Sequence, residues 1–314
     1  VRCDANVRGA YVQDCVIRGN AVTDNGGGVS CGAGDRVYRC VISGNSASSG
    51  GGAMLWAYSA VSNCAITGNR AMFWGGGAMC RQESVLNNCL IAGNAAGSGG
   101  GVYYYRGGEA NNCTIAGNSA TNRAGGVYCD EAGVTRNSII WRNLLNGVWT
   151  NEWYVYNTGA SFAYCCAAST NGMPGGWRCI TNAPGFLQEA ATNYHLLYGS
   201  ACIDKGTNLA ALFSADLEGT IRPLDGNWDG TNLFDMGCFE YNPNTADSNQ
   251  DGVPDWWYHK HRLNPTNSAT TAADPDGDVL DNRQEWFADT LPTNPASFFR
   301  LGDISWSNGC RVSF

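Results

Sequence analysis

The chain has 314 residues, among them 42 glycines and 15 cysteines, and a formal charge of −8, with lysine confined to Lys205 and Lys260. An acidic surface argues against nucleic acid or an anionic membrane as partner, and there is no run of about 18 apolar residues to span a bilayer. The length sets a prior of two or more domains.

The first 143 residues repeat. Residues 1–25 hold a ragged opening unit, "CDANVRGAYVQDC", after which one hexad recurs: "CVIRGN" from Cys15, "CVISGN" from Cys40, "CAITGN" from Cys64, "CLIAGN" from Cys89 and "CTIAGN" from Cys113, decaying to "SIIWRN" at Ser138. The steps alternate between 25 and 24 residues, and a "GGG" landmark from Gly26, Gly50, Gly75 and Gly99 keeps the same beat, ending as "AGG" from Ala124. Helical repeats are longer and would not tolerate a glycine triplet in every unit, and the Leu lattice of a leucine-rich repeat is missing. Short alternating runs with Gly, Asn and Ser corners fit one coil of a parallel β-helix. Alternation sends the constant Cys and Ile to the core and the variable slot outward. Asn20, Asn45, Asn69, Asn94, Asn118 and Asn143 are expected to stack at one corner, where Asn tolerates a left-handed turn.

The pattern resembles the right-handed parallel β-helix proteins of bacterial cell surfaces, a superfamily that includes pectate-lyase-like enzymes, over residues 1–158. Cys15, Cys40, Cys64, Cys89 and Cys113 share one slot, and a second slot reads Cys31, Leu55, Cys80, Tyr104, Cys129. Either buried thiols or bridges Cys31–Cys40 and Cys80–Cys89 satisfy the spacing. On the strand after each triplet, two outward columns bring together Met54, Met79, Tyr103 and Tyr128, and Trp56, Arg81 and Tyr105. They are expected to form an exposed patch for a glycan or a protein partner, or to be covered by a C-terminal segment. The outward carboxylates, Asp35, Glu83, Glu109, Asp130 and Glu131, form no column, and the regular coils carry no long insertion, which weighs against a lyase.

Residues 144–241 lose the period, and 159–241 are expected to cap the solenoid. "NYHLLYGSACIDKGTN", "DLEGTIRPLDG" and "DMGCFEY" resemble the closing segment of bacterial choice-of-anchor Q surface proteins. Cys202 and Cys238 depart from that pattern, and the double departure suggests a Cys202–Cys238 bridge.

Residues 242–297 turn acidic. "DPDGDVLDNRQE" places Asp274, Asp276, Asp278, Leu280, Asn282 and Glu285 at positions 1, 3, 5, 7, 9 and 12 of an EF-hand-type loop, with its glycine at position 4 instead of 6. "DSNQDGVPDWWY" offers Asp247, Asn249, Asp251, Val253 and Asp255, with Tyr258 at position 12. The pair resembles the tandem loops of thrombospondin type 3 and dockerin-like modules, which implies structural Ca2+, with Trp256, Trp257, Trp286 and Phe287 packing as the loops close. Residues 298–314 read as the first hairpin of a further β domain. Val1 and Phe314 fall in mid-pattern, so a longer secreted protein is expected. The sequence points to an all-β, right-handed parallel β-helix solenoid with an irregular cap and a small calcium module. It reads as a secreted or cell-surface structural or adhesive protein, partnered by copies of itself in a fibre or by an extracellular glycan. The alternative is a polysaccharide-active enzyme or glycan-binding module. No catalytic residue is assigned.

Overall fold

In the computed structural model, residues 1, 9–149 and 152–298 and the short strands at 305–306 and 310–311 are described. Residues 2–8 of the opening unit and most of the expected terminal hairpin lie outside them. Ser305–Trp306 does pair antiparallel with Cys310–Arg311. Two compact units result, Val1–Tyr241 and Asn242–Phe314.

The first unit is a right-handed parallel β-helix of about six turns. Five coils between Val29 and Leu145 each give a strand to each of four parallel sheets. Sheet I, after the glycine triplets, runs from Val29–Cys31 to Trp153–Val155. Sheet II runs from Tyr11–Gln13 to Ala160–Ala163, and sheet III, the Cys-x-Ile strands, from Val16–Arg18 to Cys166–Ala167. Sheet IV runs from Ser46–Ser49 to Leu144–Leu145. The sequence register carries over residue by residue: Ile66, Ile91 and Ile115 pair laterally and are fully buried. Cys and Ile therefore face the core, as alternation dictates.

The asparagine corner is a ladder of amides. Asn69 Oδ1 accepts from the backbone N–H of Asn45 (2.9 Å) and from its Nδ2 (2.9 Å), while Asn69 Nδ2 donates to Asn94 Oδ1 and to Ile42 O. The pattern continues to Asn143. There the next rung is missing, and Glu152 takes its place: its carboxylate accepts from Asn143 N–H at 3.2 Å and from Ala168 N–H at 2.9 Å. The ladder residues are not left-handed. That conformation falls to the residue before the rung (Gly44, Gly68, Gly93 and Gly117, φ 61–64°, with Arg142 before Asn143) and to the residue before the Cys or Ser slot, Asp14 and Arg39 in the first coils and then a second asparagine column, Asn63, Asn88, Asn112 and Asn137. The turn therefore precedes the rung and leaves each ladder amide pointing inward.

Triplet glycines are needed for closeness. A Cβ on Gly77 would sit 2.7 Å from Gly101 O and 2.7 Å from Ile91 Cγ2, distances that real Cβ atoms do not show. The 24/25 beat has a single origin in sheet IV. Strands Arg70–Trp74 and Ser119–Arg123 hold five residues where Ser46–Ser49 and Ala95–Ser98 hold four, and the register shifts around the extra residue. Alternate coils thus carry a β-bulge, and sheet IV is ridged.

The lateral ladder also outlasts the sequence period. Trp153–Val155, Ala160–Ala163 and Cys166–Ala167 complete another coil, and bridges Ala163–Trp177 and Cys166–Ile180 start a shorter one. Met173 joins the core beneath it. Residues 197–241 then run along the side of the helix as a strap. Asn63 Nδ2 donates to Asp216 O, Asn88 Nδ2 to Ala215 O, Asn112 Nδ2 to Asp235 O and Asn137 Nδ2 to Thr207 O. The second asparagine column, which turns the backbone, is also the strap's landing strip.

Candidate functional site

The strap holds the densest cluster of charge, and its chemistry is structural. Arg222, 2% exposed, places Nε 3.1 Å from Glu240 Oε2, and its Nη1 donates to Asn88 Oδ1. Glu240 accepts from Leu224 and Asp235 N–H, Asp235 from Asp204 and Tyr241 N–H, Asp216 from Glu218, Thr220 and Glu240 N–H, and Asp204 from Asn227 N–H. Four buried carboxylates converge with one arginine, and backbone donors supply the rest of the compensation. Burial pushes Glu240 up to about 7 and Asp235 well above the usual carboxylate range. The conspicuous residues of the three closing blocks are thus the ones that fold the strap. Cys202 and Cys238 are free and not bridged. Cys202 instead contacts the Cys166 thiol, and Cys238 lies against Thr114 and has its thiol pushed by burial to about 12. None of the described cysteines is in a disulfide, which includes Cys31, Cys40, Cys80 and Cys89.

The outward columns of sheet I behave differently from each other. Met54, Met79, Tyr103 and Tyr128 point away from the core yet are only 1–7% exposed, so the expected open patch is closed. Lateral stacking is the reason: Tyr103 and Tyr128 lie 4.8 Å apart and near parallel, Tyr154 continues the stack at 5.5 Å, and Trp74, from the bulged strand of sheet IV, leans onto Tyr103 at 6.0 Å. The second column stays at the surface. Trp56 is 40% exposed, and the Arg81 guanidinium is held between the Trp56 and Tyr105 rings at 4.3 and 4.7 Å. A hollow of about 350 Å³ opens where the two columns meet, with Trp74, Arg81, Tyr105 and Asp130 among its walls.

A larger cleft, about 1010 Å³, lies at the last full coil and is lined by Trp149, Trp153, Tyr154 and Tyr156 as well as Glu152. The Glu152 carboxyl, pushed to about 7 by burial, is already engaged in ending the amide ladder. Of the carboxylates expected to face outward, Asp35 is fully buried and accepts from Ala10 and Gly32 N–H. Glu109 and Glu131 pair with Arg136 and Arg106 at 3.2 and 3.3 Å.

In the second unit the two acidic loops adopt the same turn by different means. Position 6 is left-handed in both, Gly252 at φ 87° and Val279 at φ 86°. The displaced glycine of the second loop does not spoil its shape, because a β-branched residue takes the strained conformation instead. Asp274, Asp276 and Asp278 bring carboxylate oxygens within 4.8 Å of one another. Glu285 reaches in from the first turn of helix α1 (Asn282–Ala288), whose start is fixed by an Asp281–Gln284 capping box. Glu285 and Asn282 are fully buried, and Asp276 Oδ2, Asp278 Oδ2, Asn282 Oδ1 and Glu285 Oε2 have no hydrogen-bond partner. Burial, with Asp276 and Asp278 facing it, pushes Glu285 up to about 7. Clustered oxygen donors carrying excess negative charge suit a hard divalent cation.

The first loop is largely satisfied by protein. Asp251 is partly buried, yet donors from Thr271, Tyr258, Val253 and Asn249 hold its carboxyl below the ordinary value. Tyr258, at position 12, sends its hydroxyl to Asp251 (2.6 Å), and Asp255 accepts from Ser248 N–H and Oγ. Asp247 caps Asp251 and Gly252 N–H, and of this loop's side chains only Asn249 keeps an unpaired buried oxygen among the described residues. Trp257, Trp256 and Trp286 pack together with buried Val253, but Phe287 is 70% exposed and stays out of that cluster.

Fold and columns together define a right-handed parallel β-helix. Residues 2–140 match the family described as right handed beta helix region. A comparison with curated proteins returned no match. Among solved structures, the crystal structure of pectate lyase Pel9A is similar at 13% identity and a TM-score of 0.42, over 74% of this chain. The aligned part spans 65% of the lyase's length.

Proposed function

We propose that the chain is an extracellular structural and adhesive β-helix whose C-terminal unit is stabilised by Ca2+. The observation that carries the calcium reading is the set of four unpaired buried oxygens converging from Asp276, Asp278, Asn282 and Glu285. Asp274, Asp276, Asp278 and Glu285 would hold the ion, with Asn282 and the Leu280 carbonyl beside them. The cation would relieve the mutual repulsion of these carboxylates, and its binding free energy would add to folding. The first loop, with Asp251 already satisfied by Tyr258 and Thr271, contributes scaffold and at most a weaker site. The adhesive surface is the Trp56, Arg81 and Tyr105 column with its adjoining hollow, and it fits a sugar face or a second copy of the chain. The Met54, Met79, Tyr103 and Tyr128 stack stiffens the rod beneath it. A glycan-binding reading is favoured separately by the aromatic cleft around Trp149 and Tyr156.

The test is calorimetric and thermal. Ca2+ should bind the full chain with about one strong site and raise the melting temperature of the C-terminal unit by several degrees, and Glu285→Gln should abolish both. An acid whose folded pKa is raised destabilises the fold as pH climbs through the window from its ordinary value to about 7. Ca2+ needs the ionised form, so calcium affinity should rise from pH 5.5 to 8. Val279→Gly should relieve the left-handed strain and stabilise the unit by about 1 kcal/mol. Calcium binding that survives Glu285→Gln would remove this assignment.

A further inference from the structure

The cysteine column is longer than the repeat. Register Ile139–Cys166 places Ser138 beside Cys165, and bridges Ala163–Trp177 and Cys166–Ile180 place Cys165 beside Cys179. The same backbone contact recurs along the column: Cys40 N–H donates to Cys64 Sγ (3.3 Å), Cys113 N–H to Ser138 Oγ (3.1 Å) and Cys165 N–H to Cys179 Sγ (3.4 Å). The stack thus reads Cys15, Cys40, Cys64, Cys89, Cys113, Ser138, Cys165, Cys179. The serine isolates the last two as a pair.

We propose that Cys165 and Cys179 are an oxidisable clasp, forming a disulfide that closes the short terminal coil. Lateral neighbours in a parallel sheet have Cα atoms about 4.8 Å apart, inside the range that a disulfide spans. Access separates this pair from the buried rungs Cys64 to Cys113, and the serine separates it from the exposed Cys15 at the other end of the column. Cys179 is half-buried beside Trp177, which is 62% exposed, whereas Cys165 is fully buried. A hydrogen bond from the Cys165 thiol holds Cys179 down to about 7, and burial pushes Cys165 well up. That is the division between an attacking and a resolving thiol. With a small-molecule disulfide such as oxidised glutathione as oxidant, Cys179 thiolate attacks one glutathione sulfur and expels the other as thiolate. Cys165 Sγ, losing its proton, then attacks Cys179 Sγ and expels the second glutathione. Two protein thiols lose two electrons and two protons, and one glutathione disulfide becomes two thiols.

The experiment incubates the full chain with oxidised glutathione at pH 8, alkylates it after denaturation, and maps linkages by fragment ions, which separate a 165–179 bond from 166–202. The expected result is two alkylation sites lost at Cys165 and Cys179, a linked peptide between them, and a melting temperature raised by roughly 5 °C that falls back on reduction. Cys165→Ser, a substitution the column already accepts at Ser138, should instead leave glutathione trapped on Cys179. Glutathione stable on Cys179 in the unsubstituted chain, a bond to another cysteine, or both thiols still alkylated would overturn the clasp.

Discussion

The coils and the strap bury polar groups on two columns of asparagines only a few residues apart in each repeat, and they do so by opposite means. In the coils, Asn45, Asn69, Asn94 and Asn118 repeat one small solution, an amide bonded to the next amide, so each rung's satisfaction depends only on its neighbours. In the strap, Arg222, Glu240, Asp235, Asp204 and Asp216 form one network, in which a single cation pairs with Glu240 and four buried carboxylates lean on backbone donors. Repetition spreads the cost of a defect; a unique network concentrates it.

Removing that cation is the severest way to break the comparison. Arg222→Ala should cost about 3–5 kcal/mol, because it leaves buried carboxylates without their counter-charge, and denaturant unfolding measures it. Asn94→Ala comes next, at about 2–3 kcal/mol, since it strands Asn69 N–H and Ile66 O in the core. Gly77→Ala should cost about 1–3 kcal/mol through overpacking against Ile91 and the next coil. The exposed end of the ladder sharpens the contrast: Asn20→Ala should stay within about 0.5 kcal/mol. An Asn20 variant as damaging as the Asn94 variant would mean that the ladder, like the strap, acts as one cooperative object.

The two regions also share a response to pH. Glu240 in the strap and Glu152 at the ladder's end are both pushed up to about 7 by burial. For an acid with a raised folded pKa, the folded state holds more protons than the unfolded state between the two values, so stability declines as pH rises from about 4.5 to 7. The first unit should melt a few degrees higher at pH 5.5 than at pH 8. Glu240→Gln and Glu152→Gln should each flatten part of that slope.

Much of this architecture was legible from the chain alone. The 24/25 period, the Cys-x-Ile alternation and the Asn corner each express a local rule, and a rule repeated five times has little room to be misread. The loop pattern of Asp274, Asp276, Asp278 and Glu285 could also be read, because ligand order in such a loop follows sequence order. The ladder cap at Glu152 left a fainter trace, a lone acid just past the end of the period. Cys165 and Cys179 left none, because the steps that bring them into the column, 27 and 14 residues, break the beat.

What the sequence by itself determined, then, was everything that depends on a residue and its copy one coil away. Only the tertiary structure decided the rest. Met54, Met79, Tyr103 and Tyr128 point outward, as alternation requires, yet rings stacked on their neighbours and Trp74 leaning across from another sheet exclude water from them. Residues 197–241 lie along the helix as a strap, because Asn63, Asn88, Asn112 and Asn137 donate to their backbone carbonyls and Asn88 Oδ1 accepts from Arg222. Burial of that kind depends on what arrives from far along the chain, and no local pattern encodes it.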